Sequence, residues 1–266
     1  MTWELGNLVD KDACFTDLRG QVALVTGGGT GIGRGIARRL AAEGMGVALC
    51  GRRAERLEET VKMIELAGGE ALALPADLTR PEAAREVCLG ATCRFGQVDA
   101  LVHSAMLMNF AGLEECSFDL WEAAFATGPR AALLLAQQLV PGMRERGRGG
   151  IVLVSSVLGQ RPNRNGAAYV AVKGAIEAMT RQMAMALASD GIRVNALAPG
   201  LILTHREPTE ASLPNKLVPL GRAGTATEMA AVAAFLLSQQ SSYITGQVIH
   251  ADGGTSVQLV PPGFRL

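Results

Sequence analysis

The chain has 266 residues, 48% of them apolar and 19% charged, with 25 basic side chains against 25 acidic ones and a formal net charge of +0. That apolar supply is enough for a substantial core, and the charge balance gives no reason to expect nucleic acid or an anionic membrane as partner. The five cysteines, Cys14, Cys50, Cys88, Cys93 and Cys116, form no C-x-x-C pair and have no His at metal-like spacing, so reduced thiols and no metal are expected.

Residues 1–20 carry no strong period and read as an arm. Their start lacks the basic and apolar segments of a secretory signal, and no apolar run nears the ~20 residues that span a bilayer, so a cytoplasmic location is expected. A regular alternation follows over residues 21–254. Short apolar runs predict strands at Val22–Val25, Val47–Cys50, Ala71–Leu74, Ala100–His103, Ile151–Val154, Val194–Leu197 and Val248–Ala251. Between them, helical periods cover the stretch after the first strand with Ile32, Ile36 and Leu40 on one stripe, then Ala54–Leu66, Pro81–Arg94, Phe118–Glu145, Ala167–Ala188 and Thr227–Leu237. Gly128-Pro129 is expected to kink the long fourth helix. Seven buried strands alternating with helices predict one α/β domain, a Rossmann-type doubly wound parallel sheet, followed by a tail at 255–266.

After the first strand comes Thr26-Gly27-Gly28-Gly29-Thr30-Gly31-Ile32-Gly33. Glycines between a buried strand and an amphipathic helix let backbone amides approach a pyrophosphate, with the positive end of the helix aimed at it. Gly27, Gly29, Thr30, Gly31, Ile32 and Gly33 are therefore expected to bind a dinucleotide. An NAD site usually sets a carboxylate at the end of the second strand to hold the ribose 2′-hydroxyl. Here Gly51 stands there, and Arg52 and Arg53 follow. Guanidinium groups suit the 2′-phosphate of NADP, so NADP(H) is expected over NAD(H), unless both arginines are simply solvated residues ahead of a helix. Asp77-Leu78, after the third strand, reads equally as the edge where adenine rests or as the start of a helix.

Tyr169 and Lys173 lie four apart, on one face of a helix, and Ser156 lies just past the fifth strand, thirteen residues before the tyrosine. A carbonyl that accepts hydride must also gain a proton. A phenol held by a nearby ammonium can give it, and a serine hydroxyl can donate to the oxygen as charge develops. With Thr26-Gly-x-x-x-Gly31-x-Gly33, Asn195-Ala-Leu-Ala-Pro199-Gly200 and Asp252-Gly253-Gly254, the chain resembles the short-chain dehydrogenase/reductase family from about Gly20 to Gly254. The resemblance implies that Tyr169 is the acid/base, that Ser156 orients substrate, and that Lys173 binds the nicotinamide ribose and tunes Tyr169. It further implies that Ser104, Ala105, Pro199, Gly200 and Ile202 border the cofactor, that Thr204 touches its carboxamide, and that the chain forms homodimers or homotetramers through the helices after strands four and five.

Two positions depart from the family pattern. His103-Ser104-Ala105-Met106 stands where Asn-Asn-Ala-Gly is usual, and Gly128 stands seven residues past Trp121, where a water-holding Asn is usual. Met106 is expected to narrow the pocket and make it more apolar, and at Gly128 either water fills the gap or proton exchange is slower. These changes leave open a folded relative with weak or no oxidoreductase activity that serves as a binding or assembly subunit. A 3-oxoacyl-thioester reductase is the runner-up among enzymes. The segment 157–166 carries Arg161 and Arg164, and His205 and Arg206 follow the Pro199-Gly200 turn. Together they suggest a small polar or anionic substrate, against the alternative of an ordinary solvated loop. The apolar tail with Pro261-Pro262 is expected to pack, either on its own subunit or on a neighbour.

Overall fold

The structure is a computed structural model, and it describes residues 15–204 and 218–258. Its elements in chain order begin with β1 (Val22–Thr26), α1 (Gly31–Ala42), β2 (Gly46–Gly51), α2 (Ala54–Leu66), β3 (Glu70–Pro75) and α3 (Pro81–Phe95). The chain continues through β4 (Ala100–His103), α4 (Phe118–Phe125), a kinked turn at Ala126–Arg130, α5 (Ala131–Glu145), β5 (Gly149–Val154) and α6 (Ala167–Leu187). It ends with β6 (Ile192–Pro199), β7 (Ile202–Leu203), β8 (Gly224–Thr225), α7 (Ala226–Leu237) and β9 (Val248–Ala251).

Seven parallel strands form the central sheet in the order β3-β2-β1-β4-β5-β6-β9. Alternate residues of each strand face opposite sides, so both sides must be apolar. Val22 and Leu24 pack with α3, α5 and α6, while Ala23 and Val25 pack with α1, α2 and α7. That two-sided burial explains why the strands read as unbroken apolar runs. The short β7–β8 pair gives no such signal, because two residues are too few to show a period. The end of the expected N-terminal arm belongs to the packed body: Leu18 is fully buried, and the Phe15 amide donates to the buried Glu43 carboxylate.

The sheet order reverses between β1 and β4. A crevice opens beyond the carboxyl ends of these two strands, where doubly wound folds bind ligands. Thr26 and His103 sit side by side at that edge. The Phe118–Glu145 stretch is two helices, because Gly128 leaves helical geometry with φ −85° and ψ −106°. The Ala131 amide reaches back to Ala126 O across the kink. Among the described residues, no helix is long and apolar enough to cross a membrane, and no cluster of His, Cys, Asp and Glu has the makings of a metal site. Cys50, Cys88, Cys93 and Cys116 are free thiols, and burial pushes the first two up to about 12.

Candidate active site

The floor of the crevice is built from close backbone approaches. A Cβ on Gly33 would lie 2.3 Å from Gly27 O, and one on Gly27, whose φ is +68°, would meet the Ser104–Ala105 backbone at 3.0 Å. The glycines are therefore required by contact between loop, helix and the end of β4. Thr26 Oγ1 fixes that contact by accepting from the amides of Ser104 and Ala105, both at 3.1 Å. Thr30 stands at the N-cap of α1 without a side-chain cap bond, which leaves the first amides of the helix pointing into the crevice.

His103 supplies the other half of this junction. It is buried, with Nε2 3.1 Å from Thr127 O and Nδ1 3.0 Å from Thr26 Oγ1. A carbonyl only accepts, so Nε2 carries the hydrogen and Nδ1 accepts from the threonine hydroxyl. Burial lowers the imidazole to about 4, helped by the Lys173 charge. The carbonyl that the kink frees is thus tied to the glycine loop through one neutral ring. At Gly128 a Cβ would lie 2.6 Å from Val172 Cγ1, so the α6 side chain stands against this position.

Two connected hollows flank the glycine loop. The smaller, about 140 Å³, is lined by Gly27, Gly29 and Thr30, by Arg52, Arg53 and Arg56, and by Asp77 and Leu78. Arg56, which was not foreseen, is held by Glu59 at 3.0 Å, while Arg52 and Arg53 make no ion pair among the described residues. Asp77 is not the helix cap. Its Oδ1 accepts from the Thr79 amide and hydroxyl at 3.0 and 2.9 Å, and the backbone bond in particular holds its carboxyl below the usual range. The larger hollow, about 650 Å³, brings together Ile32, Ser104, Ala105, Met106, Ser156, Tyr169, Lys173, Pro199, Gly200, Ile202 and Thr204. The hollows share Gly27, Thr30, Ala105 and Met106, so a ligand with two connected halves can span both.

At its centre, Lys173 Nζ lies 5.4 Å from the centroid of the Tyr169 ring and donates to Val154 O at 2.7 Å. Burial lowers the lysine to about 8. Burial raises the Tyr169 phenol, and a hydrogen bond with Ser156 pulls it the other way. The expected lowering of the phenol by the lysine is therefore not the main influence here: desolvation dominates. Beside this centre, Ser155 Oγ and Gln160 Nε2 donate to the two oxygens of the buried Glu177 carboxylate, at 3.0 and 2.8 Å, which ties the Ser156 loop to α6.

Arg161 and Arg164 are exposed and do not line the hollow; Asn163, between them, does. His205 and Arg206, like the tail beyond residue 258 and the chain before residue 15, lie outside the described residues. Met108 and Phe110 also line the hollow, and sequence reasoning missed them. They sit in an irregular loop whose path toward Tyr169 no period reveals.

A crevice at the sheet's reversal point, floored by glycines and carrying Ser, Tyr and Lys together, defines a dinucleotide-dependent oxidoreductase site of Rossmann type. A family model described as enoyl-(acyl carrier protein) reductase matches residues 27–256. The chain is 33% identical to 3beta-hydroxysteroid dehydrogenase 1 of Eggerthella lenta over 260 residues, covering 95% of this chain and 98% of that protein. It is 36% identical to the 3-oxoacyl-acyl-carrier-protein reductase FabG of Thermotoga maritima over 244 residues, covering 89% of this chain and 98% of that one. Among solved structures, a putative NAD(P) dependent gluconate 5-dehydrogenase from Beutenbergia cavernae with bound NADP superposes with a TM-score of 0.84 at 36% identity, covering 91% of this chain and 98% of that one. The chain belongs to the short-chain dehydrogenase/reductase family, and it is an NAD(P)-dependent oxidoreductase acting on a carbonyl or secondary alcohol.

Proposed function

We propose that the protein reduces a ketone, or oxidises the matching secondary alcohol, with NADP(H) favoured over NAD(H), through Tyr169, Ser156 and Lys173. The observation that carries the reading is the meeting of these three side chains in a hollow continuous with a glycine-floored groove. The residues fit the cofactor. The glycine loop and the start of α1 line the groove where phosphates would lie, Arg52 and Arg53 line the end that would take a 2′-phosphate, and Asp77 and Leu78 border the place for adenine. Bound NADP(H) supplies or accepts the hydride. In reduction, a new C–H bond forms and the carbonyl π pair moves to oxygen, which takes the Tyr169 proton; in oxidation the same proton returns to Tyr169. Ser156 donates to that oxygen while its charge develops. Lys173 has donors beyond the one spent on Val154 O for the ribose hydroxyls, and its charge favours the phenolate.

Replacement of Tyr169 by Phe tests these roles. The NADPH-dependent rate should fall about 100- to 10,000-fold with NADPH affinity unchanged, since only the transferable proton is lost. A variant that keeps the wild-type rate would remove Tyr169 from the chemistry.

A further inference from the structure

Arg161 and Arg164 stand outside the larger hollow, and His205 and Arg206 lie outside the described residues. Among the described residues, Lys173 is the only charged side chain lining the larger hollow, and it is buried and bonded to Val154 O. The loop between β4 and α4 contributes Met106, Met108 and Phe110 to one side, and Val157 and Leu158 from the loop after β5 lie on another. Phe110 is set with care. Its ring lies 5.1 Å from the Tyr169 ring at 45°. Beneath it is Gly166, with φ +90°, where a Cβ would come within 3.2 Å of Phe110 Cδ1. The amides of Gly166 and Ala167 both donate to Ala111 O, at 2.9 and 3.1 Å. The residue after Phe110 therefore caps the helix that carries Tyr169, which locks the aromatic ring beside the reacting hydroxyl.

Met108 and Phe110 are nonetheless 69% and 45% exposed. Large apolar side chains left open at a reacting centre gain free energy when an apolar ligand covers them. A carboxylate or phosphate placed there would be desolvated with no free cation among the described walls to meet it. Methionine, unbranched and polarisable, accommodates varied apolar outlines.

We infer that the substrate is a ketone with a predominantly apolar body, or the corresponding alcohol, seated against Phe110 and Met108 with its carbonyl between Ser156 and Tyr169. This rests on the oxidoreductase reading above and narrows it.

A shape-matched pair tests it: a cyclohexanone bearing an isopropyl group, and one bearing a carboxylate at the same ring position, each with NADPH and wild-type enzyme. The neutral ketone should be reduced with kcat/KM about 100-fold higher, because only the carboxylate loses its hydration without compensation. Phe110→Ala should raise the KM for the isopropyl ketone about tenfold, and Phe110→Leu less, with the KM for NADPH unmoved. Equal use of the two ketones, preference for the carboxylate, or an unmoved KM in Phe110→Ala would overturn the inference. So would failure to reduce either ring ketone while a 3-oxoacyl thioester or a keto sugar acid is turned over, and in that case the oxidoreductase reading would stand. Tight NADPH binding with no turnover of any of these carbonyls would overturn both.

Discussion

His103 carries a pH dependence that can be worked out in sign. Folded, its imidazole titrates at about 4, against an ordinary value of 6.5, because burial disfavours the cation. Between those values the unfolded chain binds a proton that the folded one does not, so stability rises with pH across that window. This contribution is fully present above about pH 6.5 and is lost as pH falls toward 4, with a total of about 3 kcal/mol. In His103→Asn, Tm should depend less on pH over that range than in wild type, as measured by thermal melts. An identical dependence would contradict the burial of a neutral ring. The sequence marks His103 as unusual at the end of β4, but not what it bonds. Thr127, its partner through Nε2, is 24 residues away and reaches it only because the helix kinks. Tyr169, Lys173 and Ser156 are legible because a helical period and a strand end fix their relative places. Phe110 is hidden because an irregular loop delivers it.

Among the elements, the kinked α4–α5 pair shows both the reach and the limit of reading a sequence. Gly128-Pro129 announces a break, since proline cannot donate and clashes with the preceding turn. The approach of Val172 to that break, from a helix more than forty residues on, cannot be seen without the fold. Gly128→Ala would drive a methyl to 2.6 Å from Val172 Cγ1. Overpacking of that kind should cost about 1–3 kcal/mol in denaturant unfolding. It should also lower turnover, because Val172 adjoins Lys173. A variant as stable as wild type would mean that α6 yields at this point without strain. The sheet strands are the opposite case. Apolar faces on both sides leave an unambiguous run, so all seven central strands are legible from the order of apolar residues alone. The ends extend by one or two residues where glycine or a polar residue closes the ladder, as at Gly149 and Glu70.

The fold class of the whole molecule follows from the βα rhythm, because strands buried on both faces and joined by amphipathic helices have few alternatives to a doubly wound sheet. Assembly is less directly written. We expect a homo-oligomer, since Phe118 of α4, Leu133 of α5 and Met185 of α6 are 76%, 43% and 83% exposed on neighbouring helices. Light scattering should give two or four times the 27.8 kDa chain mass, and a monomer at micromolar concentration would remove that expectation. The most direct test of the central claim is a fluorescence titration of NADPH and NADH on wild type and Arg52→Ala. The expected result is NADPH bound more tightly than NADH by wild type, with Arg52→Ala weakening NADPH about tenfold and leaving NADH unchanged. Binding of neither cofactor, or NADH bound more tightly than NADPH with no response to Arg52→Ala, would contradict the account.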